Sequence, residues 1–514
     1  MIINQVFATD QIGLPLLSLL LALPVVTAIA VALCKSVRIA HGLAIVGAVA
    51  ELALAVWLVA ALVPGSSDMQ FVEQHGIYHL GIDGISALFL PLTALLTLLA
   101  TVYAEPVREN LRGYLIAMHL FAATMIGAFV AVDMLLFWVF FVAEIVPSYF
   151  LITRYGTGEQ RHAAARSYIG FMLVSSLALG AAIWLLGNNH FAMTGRSSYD
   201  LIDLLRVSVP GTLQTTIFVL MCLALAIKAP LVPFHTWMPR VLEQGPIIGM
   251  SVFLVGVKVG TYAFLRFVVP LLPEASHEWF WLLAALGAIS MVYGALIALV
   301  QTNLRRLLAF ASVSHMGVVM LGVFSLNFSG FQGGLLQMMN LGVTGAGLFF
   351  VAAFLARRIG TPDLSGMGGL GPYVPRLALT FLIIGLAGIG MPGTSGFNGE
   401  HLVMIGAFKA HWSMALAVGA GTVLAAMYFL WYYQRAFQGD RTADKARSMP
   451  DLSTREMFIA GALATVIFWI GLYTSPFLNT MNGSLQGLAA HIEKDPAKRT
   501  AAALSAPPLT TVPR

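Results

Sequence analysis

Apolar runs of about 20 residues recur along almost the whole chain, the length needed to cross about 30 Å of hydrocarbon. Fourteen such stretches are read, near 13–34, 42–63, 83–104, 114–131, 133–153, 168–187, 213–237, 246–270, 279–300, 307–325, 331–355, 376–408, 413–435 and 457–478. A large soluble core does not account for them. A soluble domain carries about 25% charged residues, whereas 10% of these 514 residues are charged, 59% are hydrophobic and the mean hydropathy is +0.85. The expected fold is therefore an all-α polytopic membrane protein with about 14 transmembrane helices. The first run follows an N-terminus without a basic n-region, so it reads as a retained helix rather than a cleaved signal.

The pI of 9.2 then reflects basic loops rather than nucleic-acid binding. Lys35, Arg38, Arg108, Arg112, Arg154, Arg161, Arg166, Arg240, Arg305, Arg306, Arg357, Arg358, Arg435, Arg441, Lys445, Arg447 and Arg455 fall in one set of loops. In the opposite set, the 64–82 loop has no Lys or Arg, and the 188–212 loop has only Arg196 and Arg206. Cytoplasmic loops hold the cations, so both termini are expected on the outer side of the membrane. The polar tail from about 484, ending in Ala, Pro and Thr, is expected to be poorly ordered.

Two stretches break in the same way. The seventh reads "ALAIKAPLVPFHTWMP", with Pro230 and Pro233 behind Lys228, and the twelfth reads "GLAGIGMPGTSGFNGEHLVMIGAF", with Pro392 and Gly393 before Glu400. Proline removes an N–H and clashes with the preceding turn, so both helices should be discontinuous near mid-depth. A matched pair of broken segments points to inverted repeats with sites near the midplane. The division expected is 1–112 for helices one to three, and 113–270 for a first five-helix repeat. A second repeat follows over 279–437, and 438–514 holds the last helix and the tail.

Ionisable residues at a bilayer centre cost about 2.5–3.5 kcal/mol each on insertion scales, and Glu144, Lys228, Lys258 and Glu400 lie deep in apolar stretches. They read as stations for moving charge. Glu144, in "MLLFWVFFVAEIVPSYFLI", has apolar neighbours on every side. Burial disfavours a lone charge and a nearby opposite charge restores it. Lys228 is the natural partner, and the Glu144–Lys228 separation is expected to set the proton affinity of the lysine; a static ion pair is the competing reading. Lys258 has no acid in its own stretch, which suits a relay. His315, flanked by Ser312 and Ser314, reads equally as a shuttle or a hydrogen-bonded structural group. Glu400 ends the series, near Asn398 and His401 in sequence. Arg266 is expected to snorkel to the interface, and His75, His79, Asp83, His277 and Glu278 to be solvated in loops.

Redox chemistry has no recognisable site in this chain. Two cysteines, Cys34 and Cys222, cannot make an iron–sulfur cluster, and paired haem histidines and a GxGxxG after a strand are both lacking. The glycine-rich "SGMGGLGP" (365–372) reads as a turn.

The segments "FFVAEIVPSYFLI", "AIKAPLVPFHTWMP", "LVGVKVGTYAFLRF", "YGALIALVQTNLRRLLAFASVSHMG" and "MPGTSGFNGE" together resemble the antiporter-like subunits of respiratory complex I, the NADH:quinone oxidoreductase. The resemblance runs from about residue 80 to 437 and is nearest to the subunit M, or chain-4, type, because a glutamate stands at Glu400. It implies two fused half-channels joined by a hydrophilic axis. Glu144 and Lys228 would be the tuning pair, Lys258 the central relay, His315 a connecting relay and Glu400 the distal proton site. It also implies that NADH, FMN, iron–sulfur clusters and quinone sit in partner subunits, with neighbouring antiporter-like subunits and lipid as this chain's contacts. One departure stands out. Leu341, after Asn340 in "LLQMMNLGVTGAGLFF", occupies a position where that family usually has a histidine.

The function expected is a proton-translocating membrane subunit of an NADH:quinone oxidoreductase, with quinone reduction elsewhere driving charge along the Glu/Lys/His axis. The alternative is a redox-independent module, either a cation/proton antiporter subunit or the proton-channel partner of an inorganic-carbon uptake complex. A scaffold whose buried charges only hold helices together is the third reading.

Overall fold

A computed structural model describes residues 3–104, 110–361, 363–364, 367–439 and 449–493. Arg108, Arg441, Lys445, Arg447 and the tail beyond 493 lie outside the described residues, as do two residues of the glycine-rich 365–372 segment. The described chain is helical apart from a small sheet. Twelve of its helices are long and apolar enough to cross a bilayer, and two shorter apolar helices, Phe89–Val102 and Pro375–Gly388, occupy the third and twelfth expected stretches.

In chain order, β1 (Gln5–Phe7) precedes α1 (Leu16–Leu33) and α2 (Val37–Ala61). Strands β2 (Met69–His75) and β3 (Tyr78–Ile82) then lead to α3 (Phe89–Val102) and α4 (Leu111–Val130). Next come α5 (Met134–Ala143), α6 (Ile145–Tyr155), α7 (Arg161–Thr194), α8 (Gly211–Lys228), α9 (Trp237–Gln244) and α10 (Gly249–Ala263). They are followed by α11 (Phe280–Leu299), α12 (Leu304–Val323), α13 (Phe328–Ile359), α14 (Pro375–Gly388), α15 (Ser395–Ala410), α16 (Trp412–Phe437), α17 (Thr454–Leu472) and α18 (Ser475–Ile492).

Polar caps start several of the helices. Asp133 Oδ1 accepts from the N–H groups of Leu135 (2.8 Å) and Leu136 (3.0 Å), and Asn303 Oδ1 accepts from Arg305 N at 3.0 Å. Ser453 and Glu456 form a capping box on α17. Each satisfies backbone donors that a helix start leaves free.

Helices α10, α12 and α13 are buried over almost their whole apolar length, whereas α1 and α2 turn Val26, Leu33 and Val46 outward. Large apolar side chains on the perimeter, around a mostly apolar interior that encloses ionisable groups such as Glu144, Lys228 and Lys258, suit lipid.

The 64–82 loop contains strands, which the sequence reading did not anticipate. β1 pairs parallel with β2, and β2 antiparallel with β3, through a tight turn at Gly76. The polar tail expected from 484 is also corrected, because residues 475–492 form α18. Ser484 Oγ accepts from Gly84 N at 3.0 Å, and Asn482 Oδ1 accepts from Gln332 Nε2 at 2.6 Å. The first described strand and the last described helix thus share the face of the cation-poor loops.

The opposite face gathers the arginines. Arg358 pairs with Glu456 at 2.6 Å and donates to the carbonyls of Pro450 and Asp451. Arg305 is buried and donates to Leu242 O (2.9 Å), Gly245 O (2.5 Å) and Thr157 Oγ1 (2.8 Å). It thereby ties the start of α12 to the loop between α9 and α10.

Candidate functional site

Both expected helix breaks are present. α8 stops at Lys228, and Pro230 and Pro233 lie in the turn that follows. The carbonyls released by the break are taken up locally: Ile227 O accepts from Trp237 Nε1 at 2.9 Å and Ala226 O from Leu231 N at 2.9 Å. Val232 N donates to Ser290 Oγ of α11 at 2.9 Å. Buried backbone groups freed by proline are thus re-satisfied within protein, the condition for irregular backbone at membrane depth.

Lys228, at the carbonyl end of α8 where a helix dipole favours a cation, makes a buried ion pair with Glu144. Glu144 sits in the turn between α5 and α6 and also accepts from Tyr168 OH at 3.2 Å. The lysine Nζ stands 5.0 Å from the centre of the Phe141 ring. Two hydrogen-bonding partners and an aromatic face replace the water that both charges have lost.

Lys258 lies on α10 between two glycines that let neighbours come close. A Cβ added at Gly256 would stand 2.9 Å from Glu144 Oε1, and one at Gly260 would stand 2.8 Å from Ala229 N. The Lys258 helix therefore touches both the carboxylate of the pair and the break behind Lys228. Lys258 is buried and forms no ion pair among the described residues. It borders a cavity of about 30 Å³ that it shares with Ser312, His315, Leu341, Thr344 and Tyr428. The space is large enough to admit a water molecule.

His315 Nε2 is 3.2 Å from Tyr428 OH across that cavity. Beyond it, α14 ends at Gly388 and α15 begins at Ser395. Ser395 Oγ donates to Asn340 Oδ1 at 2.7 Å, Asn340 Nδ2 to Gln337 Oε1 at 3.4 Å, and Gln337 Nε2 to Glu400 Oε1 at 3.3 Å. Glu400 Oε2 accepts from Thr422 Oγ1 at 3.2 Å. The sequence neighbours of Glu400 are not in this network. Asn398 Nδ2 donates to Gly471 O at 2.9 Å, and His401 is exposed and stacks on Phe397.

The structure thus brings Glu144 and Lys228 into contact, sets Lys258 and His315 on one cavity, and gives Glu400 its own amide and hydroxyl chain. Leu341 is part of the cavity wall, so an apolar side chain faces the Lys258–His315 space. No group of three or more His, Cys, Asp or Glu that could hold a metal occurs among the described residues.

Three expectations are corrected. Arg266 does not snorkel; it is buried in a π-helical turn at Phe264–Val268 and pairs with Asp83 at 2.6 Å. Asp83 is accordingly buried rather than solvated. His79 is also buried, in an ion pair with Asp200, while His75 and Glu278 are exposed as expected. His277 is half-buried, with Nε2 2.7 Å from Ile492 O. Desolvation is the main influence on nearby Asp133, holding its carboxyl above the ordinary range although Leu135 and Leu136 donate to it.

Comparison with known proteins places this geometry among relatives. Residues 131–426 match a family described as NADH:quinone oxidoreductase/Mrp antiporter, transmembrane. The chain is 33% identical over 478 residues to NADH-quinone oxidoreductase subunit M of Rhodobacter capsulatus, covering 89% of this chain and 92% of that one. Among solved structures, a chain of respiratory complex I from Thermus thermophilus with bound NADH superposes with a TM-score of 0.85 at 32% identity, over 93% of this chain and all of that one. A chain of the Mrp complex from Dietzia sp. shares the fold, with a TM-score of 0.81 at 24% identity over 95% and 99% of the two chains.

Proposed function

Because the chain belongs to the NADH:quinone oxidoreductase/Mrp antiporter transmembrane family, we propose that it is the proton-moving, non-redox membrane subunit of an NADH:quinone oxidoreductase. The observation that carries this reading is the buried Glu144–Lys228 pair at a helix break, touching the helix of an unpaired Lys258.

The pair works as a setting for proton affinity. At an effective dielectric of 20, two unit charges attract by about 4 kcal/mol at 4 Å and about 2 kcal/mol at 8 Å. Drawing Glu144 away from Lys228 by a few ångströms therefore costs about 2 kcal/mol and weakens the hold of Lys228 on its proton by the same amount, close to the roughly 2.3 kcal/mol needed to move one charge against 100 mV. Lys228 then yields its proton to Lys258. The cavity water, His315 and Tyr428 carry it onward, and the Asn340–Gln337 amides orient the path to Glu400. Amides do not release protons at neutral pH, so their role is to position Glu400 and intervening water. Quinone reduction in partner subunits supplies the drive. Iron–sulfur clusters are assigned to those subunits, since two separated cysteines cannot furnish the thiolates a cluster requires, and NADH, FMN and quinone are assigned to the same partners.

The two broken helices lie in segments 113–270 and 279–437, which act as inverted half-channels. The cation-rich face, with Arg305 and Arg358, is the cytoplasmic one of a bacterial inner membrane. Neighbouring antiporter-like subunits and lipid cover the exposed apolar perimeter.

The test is Glu144→Gln in membrane vesicles carrying the intact complex. NADH-driven proton uptake should fall severely while assembly persists. Pumping at the wild-type level would remove Glu144 from the mechanism.

A further inference from the structure

The N-terminal helices carry a second set of buried ionisable groups, away from the axis and outside the matched 131–426 segment. Glu51 lies on the buried face of α2 with Ala44, Ala48 and Ala55. It is fully enclosed, and neither carboxylate oxygen has a hydrogen-bond partner among the described residues. His119 on α4 is also fully enclosed; it approaches the Ala44 backbone, yet neither ring nitrogen completes a hydrogen bond. At the cation-rich end, the half-buried His41 has Nε2 2.8 Å from Thr101 O, and the Thr101 hydroxyl is buried without a partner.

These groups line up. His41, Ala44, Ala48 and Glu51 follow at helical spacing, so they share one side of α2. Ala44, which His119 meets, is about 10 Å along the helix from Glu51 at 1.5 Å per residue. The interval is too long for a direct bond, so a proton crosses it only with water admitted beside the alanines. The other helices against α2 are α1 and α3, which contain no ionisable residue. From α4 come only Arg112 and Tyr114 near its start, and His119. Among the described residues of these helices, no cation therefore pairs with Glu51.

A group that served packing alone would be apolar here, because a buried polar atom without a partner costs about 1–3 kcal/mol and an isolated charge far more. We infer that Glu51 is a further proton station, loaded from the cation-rich face by way of His41 and His119 and emptied toward the cation-poor face, where the buried Glu73 accepts from Leu17 N at the start of α1. The inference rests on the proton-moving reading above and adds a branch to it that begins at α2 and α4.

The experiment uses the intact complex in proteoliposomes and reads protons moved per NADH oxidised. Glu51→Gln should lower that ratio while NADH oxidation and assembly persist, and Glu51→Asp should restore part of it. A wild-type ratio in Glu51→Gln, alongside a lowered ratio in Lys258→Met, overturns this inference and leaves the main reading intact. A wild-type ratio in both variants overturns the main reading as well. Should Glu51→Gln fail to assemble, infrared difference spectra of wild type and Glu51→Asp during turnover decide. A carboxyl C=O band that shifts in Glu51→Asp supports the station, and superimposable spectra overturn it.

Discussion

Gly256 sets the backbone of the Lys258 helix directly against the Glu144 carboxylate, since a methyl group added there would stand 2.9 Å from Oε1. The helix that carries Lys258 therefore packs on the Glu144 carboxylate without an intervening side chain. At Gly260 the same helix abuts the Ala229 amide.

The two glycines should respond differently to alanine. At Gly256 the obstacle is the tip of a side chain, which can rotate at the expense of its pairing with Lys228. At Gly260 it is backbone, which cannot. Overpacking costs typically about 1–3 kcal/mol, offset in part by about 1 kcal/mol of helix propensity. Gly256→Ala should assemble normally and pump slowly, whereas Gly260→Ala should lower the thermal midpoint of the detergent-solubilised subunit. Equal effects of the two on both readouts would contradict this account.

Tyr168 donates to Glu144 from α7 at 3.2 Å. A hydrogen bond to a charged group is worth about 1.5–3 kcal/mol, and Tyr168→Phe removes it without changing shape. Denaturation of the purified subunit should show a loss in that range, and vesicle pumping should slow by about tenfold for each 1.4 kcal/mol added to the barrier. Unchanged pumping would mean that Lys228 alone holds the carboxylate.

Leu341 tests the cavity. Leu341→His adds an imidazole to the wall shared by Lys258 and His315, and pumping should match or exceed that of the native chain. Leu341→Phe fills the roughly 30 Å³ space with apolar bulk and should block water there, cutting pumping severely. The comparison sinks the cavity's role if both variants pump alike.

The Arg266–Asp83 pair is buried at both ends. Removing one partner of such a pair costs about 3–5 kcal/mol, while replacing both by apolar residues of similar volume is often near neutral. Arg266→Met and Asp83→Leu singly should lower the thermal midpoint more than the double variant does. An additive double variant would show that the two do not interact.

The membrane class, the order of the helices and both breaks were legible because they rest on local signals, namely apolar run length and proline placement. The Glu144–Lys228 pair was legible because an acid and a base each lacked any other partner in hydrocarbon. Arg266 was misread for a physical reason. A cation near a helix end normally reaches water, and its partner Asp83 lies 183 residues away in a loop. His79 and Asp200 are likewise 121 residues apart. The hairpin at Gly76 was hidden because its strands are short and carry Glu73, His75 and His79 among few β-branched residues. Glu51 gave a signal that could have been used. It is an acid in a stretch otherwise free of charge, and it went unweighed because no cation or broken helix stands beside it.

Arg305 grips two carbonyls and a hydroxyl contributed by elements on the far side of the molecule's internal divide. A guanidinium holding three oxygens at once is a rigid joint. In the proposed mechanism, a tilt of α9 drags the head of α12, and with it the rod that bears His315. The two proposed half-channels are then reset together.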